Sequence, residues 1–264
     1  MQNQEKLFSD KHMPVAAYDN SSMTSRHSSA TAEHYSPENV VEAARGVLGG
    51  FDLDPASCAK ANEFIRAKQI FTAQDNGFSK AWHGSVFLNP PGGFCDGYGN
   101  ATVRATKSEK ACTETGSCGL PPGHKHTGVD SSQKLWWFNF ANQWKAGTTH
   151  GIFLCFSVEL LQSTQVDTPL GLKIPLDFPI CYPRNRLAYR TNRLPGPTPS
   201  NPDRKPTKKQ LADFAATGTC VGDSPPHSSC IIYLPSLSEG PDLGIFKERF
   251  QKIGKVTLTN DWRK

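Results

Sequence analysis

Nowhere in this chain does an apolar run approach the ~18 residues that a membrane-spanning helix requires, so a helical membrane protein is excluded. The opening stretch, Met1-Gln2-Asn3-Gln4-Glu5-Lys6, lacks the basic-then-apolar plan of a secretory leader, and the sequence predicts a cytoplasmic protein. Without an export signal, the eight cysteines argue against a disulfide framework. No internal repeat is present, which excludes solenoids and propellers. The first 30 residues carry no apolar period and are rich in Ser, so residues 1–30 are expected to form a disordered tail.

What is present suits one elaborated domain, expected over residues 31–264. A 264-residue chain with 37% hydrophobic and 10% aromatic content can bury a single sizeable core. Its 22 Gly and 20 Pro imply long ordered loops. The formal net charge of +5 is unevenly distributed. Between Arg184 and Lys209 stand eight basic residues and one acid, Asp203, interleaved with five prolines. That composition predicts an extended basic loop over 184–209 and not a helix. A polyanion is the natural partner of such a loop; a merely solvated basic loop is the alternative.

Local signals alternate. Ser36-Pro37-Glu38-Asn39 reads as an N-cap and a first-turn proline, followed by an amphipathic helix that Gly49-Gly50 stops. Phe51–Asp54 reads as a strand, Ala56–Arg66 as a helix, Gln69–Thr72 as a strand and Ser85–Leu88 as another. Trp136, Trp137, Phe140, Ala141 and Trp144 recur at helical spacing, which fits a core-facing helix better than a base-stacking surface. Gly151–Ser157 and Ser229–Leu234 read as buried strands, Phe178–Tyr182 with Leu187–Tyr189 as a strand or hairpin, and Gly244–Ile253 as a terminal helix. The pattern predicts an α/β fold with a mostly parallel sheet, helices on both faces and long loop insertions. The largest insertion, 92–131, contains Cys112, Cys118, His124 and His126, with Cys95 nearby. These ligand types can clasp zinc, but their spacing matches no common finger pattern, and unliganded loop residues are the competing reading.

The most informative stretch is Asn89-Pro90-Pro91, which follows Ser85–Leu88 and opens into Gly92-Gly93. By itself it describes a strand-ending turn. At the end of a strand in an α/β chain it also lies where such sheets bind ligands. An amine conjugated to a ring is a weak nucleophile until its lone pair is drawn out of conjugation. Two acceptors aimed at its N–H bonds do this. The Asn89 amide oxygen supplies one and the Pro90 carbonyl the other, with Pro91 stiffening the turn.

Further pieces follow in order: His34-Tyr35-Ser36-Pro37-Glu38, Phe51-Asp52-Leu53-Asp54-Pro55-Ala56-Ser57 with Ala61-Asn62, and Asp75-Asn76-Gly77-Phe78 with Trp82. Downstream stand Phe156-Ser157-Val158-Glu159-Leu160, Phe178 to Leu187 with Tyr182-Pro183-Arg184-Asn185-Arg186, and Pro226-His227-Ser228-Ser229 before Ile231-Ile232-Tyr233. Together, over roughly His34 to Leu234, they resemble the phage-type DNA N6-adenine methyltransferases, the Dam enzymes of phages and prophages. The resemblance implies a Rossmann-like methyltransferase fold, S-adenosylmethionine as donor, double-stranded DNA as partner and adenine N6 as acceptor. With such a fold, Tyr35, Ser36, Asp54, Ser57 and Asp75 are expected at the donor and Asn89, Pro90 and Pro91 at the reacting amine, while the paired guanidinium groups of Arg184 and Arg186 suit DNA phosphates.

The residues also have readings of their own. A strand-end carboxylate such as Asp54 can hold ribose hydroxyls or be a solvated turn residue. Asp75 can accept from the donor's adenine amine or close its own Asp-Asn-Gly turn. Two departures from the family pattern stand out: no G-x-G run follows the first strand, and Gly92 occupies the place where many amino methyltransferases carry an aromatic that stacks on the target base. Phe94 and Tyr98 are the candidates to supply that surface. Methylation of an RNA base or a Gln amide, or a DNA-binding relic without catalysis, are the competing functions.

Overall fold

A computed structural model describes residues 34–72, 75, 77–90, 94–95, 129–130, 133–155, 158, 160–161, 164–165, 174, 177–197, 201–222, 228–238, 240 and 242–259, with 94–95, 129–130 and 134–135 as backbone only. A seven-stranded sheet forms its centre. Its strands are β2 (Leu53–Asp54), β3 (Gln69–Ile70), β4 (Gly84–Leu88), β7 (Thr149–Cys155), β8 (Ile180–Pro183), β11 (Cys230–Leu234) and β12 (Gly254–Thr257), in the spatial order β3-β2-β4-β7-β11-β8-β12. From β3 to β7 all neighbours are parallel. From β7 to β12 all neighbours are antiparallel. The sheet is therefore mixed, which corrects the expectation of a mostly parallel one. The inserted antiparallel strand β11 and the edge strand β12 account for the difference.

Strand alternation separates two apolar layers. Val86, Leu88, Phe153 and Ile232 face the aromatic side of helix α3 (Gln133–Lys145), where Trp136, Trp137, Phe140 and Trp144 are buried. Trp82 stacks on Trp136 with ring centroids 6.0 Å apart. Phe87, Ile152, Leu154 and Tyr233 point to the other layer, shared with α1 (Glu38–Leu48), α2 (Ala59–Ile65) and α5 (Leu243–Phe250). Helices thus cover both faces, as the strand pattern predicted. No helix among the described residues is long and apolar enough to cross a membrane.

Helix α1 ends as expected, with Gly49 in the left-handed region at φ 72° and its N–H on the Arg45 carbonyl at 2.9 Å. Its start departs from expectation. The N-cap is Pro37, one residue later than predicted, and no side chain caps it.

A second, three-stranded antiparallel sheet, β1-β9-β10, joins β1 (His34–Tyr35), β9 (Arg190–Thr191) and β10 (Cys220–Val221). Leu187–Tyr189 forms no strand, so the predicted hairpin with Phe178–Tyr182 is not made. Beside this small sheet lies α4 (Lys208–Thr217), which corrects the reading of 184–209 as loop throughout: Lys208 and Lys209 open a helix. Thr207 and Gln210 form a capping box that starts it directly after the last proline. Strands β5 (Phe94–Cys95) and β6 (Val129–Asp130) pair at the base of the 92–131 insertion.

Candidate active site

The chain leaves β2 through α2 on one face and reaches β3 on one side; it leaves β4 and reaches β7, through α3 on the opposite face, on the other side. The C-terminal ends of β2 and β4 therefore flank the point where the connections diverge, which opens a crevice in such sheets. Leu53 pairs with Val86, so Asp54 stands one residue beyond that pair and Asn89 three residues beyond it. Both predicted groups lie on the same edge of the sheet, on adjacent strands.

Asn89 is half-buried and Pro90 buried. The Asn89 side chain donates from Nδ2 to the main-chain carbonyl of His34 at 3.1 Å. Because that partner is an acceptor, the amide nitrogen must face it. Oδ1 then points away from β1 and has no donor among the described residues. Pro91 and Gly92 lie outside the described residues.

Asp54 is 2% exposed. Burial pushes its carboxyl up to about 7, against the opposing pull of the Ser57 hydroxyl and the Ala56 N–H, which donates to Oδ1 at 3.2 Å. Among the described residues no cation pairs with it. Among the described residues the Ser57 hydroxyl nevertheless has no hydrogen bond of good geometry, and neither does that of Ser36, whose side chain is freed from capping by the start of α1 at Glu38. Buried hydroxyls short of good partners are rare in folded proteins, and here two of them accompany a buried carboxyl. Tyr35 is buried with its ring edge-on to Phe64 at 6.1 Å.

Backbone packing fixes this corner. A Cβ on Gly77 would stand 1.9 Å from the Pro55 carbonyl oxygen, so only glycine lets the 77–79 turn press against the end of β2. The Trp82 indole N–H donates to the Gly77 carbonyl at 2.8 Å and clamps the turn from the core side. Asp75 accepts from the N–H of Thr72 at 2.8 Å and from its hydroxyl at 2.7 Å, which holds its carboxyl below the usual range. Its side chain is exposed and serves the turn.

No family model, curated protein or solved structure matches the chain. What the site can do follows from its donors and acceptors.

Arg184 is exposed. Its guanidinium donates to the Gln251 carbonyl at 2.7 Å, next to the end of α5. Arg186 is exposed. Phe94 contributes only backbone to the description, and Tyr98, Cys112, Cys118, His124 and His126 lie outside it, as does the predicted tail. Among the described residues no group of three or more His, Cys, Asp or Glu side chains is arranged for a metal ion. Cys155, Cys181 and Cys230 are buried and form no disulfide among the described residues.

Two residues at this edge were not singled out from the sequence. Among the described residues, Tyr189 and Ser229 carry buried hydroxyls without hydrogen bonds of good geometry. Ser229 directly precedes Cys230, which pairs with Cys155 at the end of β7. The sequence signal was the Pro226-His227-Ser228-Ser229 stretch entering a strong strand, which marks position but not role.

Proposed function

We propose that the protein transfers a methyl group from S-adenosylmethionine to the N6 amine of adenine in DNA. The observation that carries this reading is the orientation of Asn89 at the end of β4: its amide nitrogen is held by the His34 carbonyl, which leaves Oδ1 as an acceptor for an incoming N–H. A fixed acceptor next to a proline main chain fits an enzyme that withdraws an amine lone pair from a ring. Pro90 and Pro91 provide the second acceptor and its stiffness.

The donor side is supported by the buried carboxyl of Asp54, the Ser57 hydroxyl beside it and the Ser36 hydroxyl, which has no partner among the described residues. An adenosine moiety presents ribose hydroxyls that would satisfy such acceptors and donors. The donor supplies an electrophilic methyl group on a sulfonium. Asn89 and the Pro90 carbonyl orient the attacking nitrogen, and no covalent enzyme intermediate is required. A parallel half-sheet followed by an inserted antiparallel strand, β11, is in keeping with the Rossmann-like methyltransferase fold that the sequence resembles. In duplex DNA the target adenine must leave the stack, at a cost of roughly a few kcal/mol, which phosphate contacts offset.

The test is direct. Protein, methyl-labelled S-adenosylmethionine and unmethylated DNA are incubated with wild type and Asn89→Ala, and the digested acceptor is analysed. Label on adenine N6 with wild type alone supports the proposal. Equal label in both, or label on an RNA base or a Gln amide instead, overturns it.

A further inference from the structure

Helix α4 (Lys208–Thr217) has no buried residue, and Leu211 is 47% exposed. A ten-residue helix gains little from its own backbone bonds, since isolated helices below ~12 residues are marginal in water. Polar ties hold it at both ends. At its start, Gln210 closes the capping box on Thr207 and also donates from Nε2 to the Val221 carbonyl at 2.8 Å. At its end, Arg190 donates to the Thr219 and Thr217 hydroxyls at 3.0 and 3.1 Å and to the Thr219 carbonyl at 3.0 Å. The helix is thus fixed to β9 and β10 while its length faces solvent.

Its first turn carries Lys208 and Lys209, and Lys205 stands two residues before its cap. All three are exposed, and none forms an ion pair among the described residues. Positive charge at a helix N-terminus opposes the helix dipole, so these lysines weaken the element that carries them. A bound polyanion removes that penalty. The same small sheet leads to the site: β10 pairs with β9, β9 pairs His34 of β1 through Thr191, and the His34 carbonyl holds Asn89.

We infer that the lobe of β1, β9, β10 and α4 is the surface on which duplex DNA docks, with Lys205, Lys208 and Lys209 on backbone phosphates. This deepens the proposed function and rests on it. Arg190, committed to Thr217 and Thr219, is a positioning residue that ties the docking helix to the strand beside β1. Phosphate contacts of this kind set register and affinity without reading sequence.

The experiment measures binding of a labelled unmethylated duplex to the full chain by fluorescence anisotropy across a salt series. Wild type is compared with the triple variant Lys205→Gln, Lys208→Gln, Lys209→Gln, and with Lys252→Gln and Lys255→Gln together as a control for general loss of charge. Each phosphate contact contributes about 0.9 to the slope of log affinity against log salt, so the triple variant is expected to lose up to about 3 from that slope. Affinity should fall at least tenfold at low salt, while the control pair changes little. An unchanged slope in the triple variant overturns the docking surface, even if wild type methylates DNA. A lost slope in a protein that never methylates DNA keeps the surface and overturns the catalytic reading. No duplex binding by wild type overturns the surface outright.

Discussion

The Asn89 side chain reaches 3.1 Å from its Nδ2 to the main-chain oxygen of His34, a residue 55 positions earlier that belongs to a different sheet. One hydrogen bond therefore sets which end of the amide faces outward. Replacing Asn89 with Asp keeps an acceptor but places a carboxylate against a carbonyl, and the side chain must swing away. We expect Asn89→Asp to lose roughly 100-fold in kcat, the scale of a misplacement near 1 Å, and Asn89→Ala to lose about 10²–10³-fold. Single-turnover methyl transfer with saturating DNA checks this, and wild-type kcat in the Asp variant would show that the anchor is irrelevant.

Asp54 predicts an unusual pH dependence. Its folded-state carboxyl is raised from 3.8 to about 7, so between those values the folded protein holds a proton that the unfolded chain releases. Stability at this site is therefore greatest below pH 4, declines as pH rises toward 7 and is level above it, a total of roughly 4 kcal/mol at the upper limit. Asp54→Asn should flatten that decline in urea titrations at pH 5 and pH 8. Donor hydroxyls that favour the ionised carboxylate should also expel a proton on binding near pH 6.5. Calorimetry in two buffers of different ionisation enthalpy measures that proton.

At the opposite end of the same strands, Asp52 behaves in the reverse sense. The Lys68 ammonium at 2.8 Å, followed by the Ser85 N–H, holds its carboxyl down to about 2. This contribution is complete above pH 4 and is lost as pH falls through 2. The carboxylate is 41% exposed, so solvent screens the ion pair and the salt-bridge share is small. Asp52→Ala leaves the Ser85 N–H and hydroxyl without their partner, and a loss of about 1–3 kcal/mol is expected at neutral pH. Lys68→Met should lose much less, and 1 M salt should erase that smaller difference.

Gly77→Ala tests the corner under the proposed donor site. The new Cβ would meet the Pro55 carbonyl oxygen at 1.9 Å, and backbone must move to admit it. Overpacking of this kind costs about 1–3 kcal/mol. Because the strain falls next to Asp54, the loss in S-adenosylmethionine affinity should exceed the loss for a surface substitution of equal stability cost, such as Lys60→Gly in α2. Isothermal titration alongside thermal unfolding separates the two effects.

Much of the fold was legible because its strongest elements carry long or well-punctuated signals. The Gly49-Gly50 stop, the aromatic spacing of α3 and the apolar runs of β4 and β11 each combine period with termination. The two-residue strands β1, β9 and β10 contain no period to read and exist only through their pairing. Strand β12, Gly254–Thr257, alternates polarity over four residues directly after a helix, too short to stand apart from a turn. Helix α4 was readable in principle: Thr207-x-x-Gln210 is a capping box, but the density of proline and lysine around it favoured a loop. Asn89 and Asp54 were placed at strand ends by sequence alone, whereas the anchor on His34 is a long-range contact that local pattern does not encode.

Since the contact that aims Asn89 is made by main chain, the identity of side chain 34 is of little consequence to it. The aim of Asn89 is instead governed by how β1 is aligned on β9, where His34 lies opposite Thr191. A slip of one residue there would present a neighbouring carbonyl and spoil the aim without altering a single atom of the reacting group, so mutations that disturb this alignment should silence the protein from a distance.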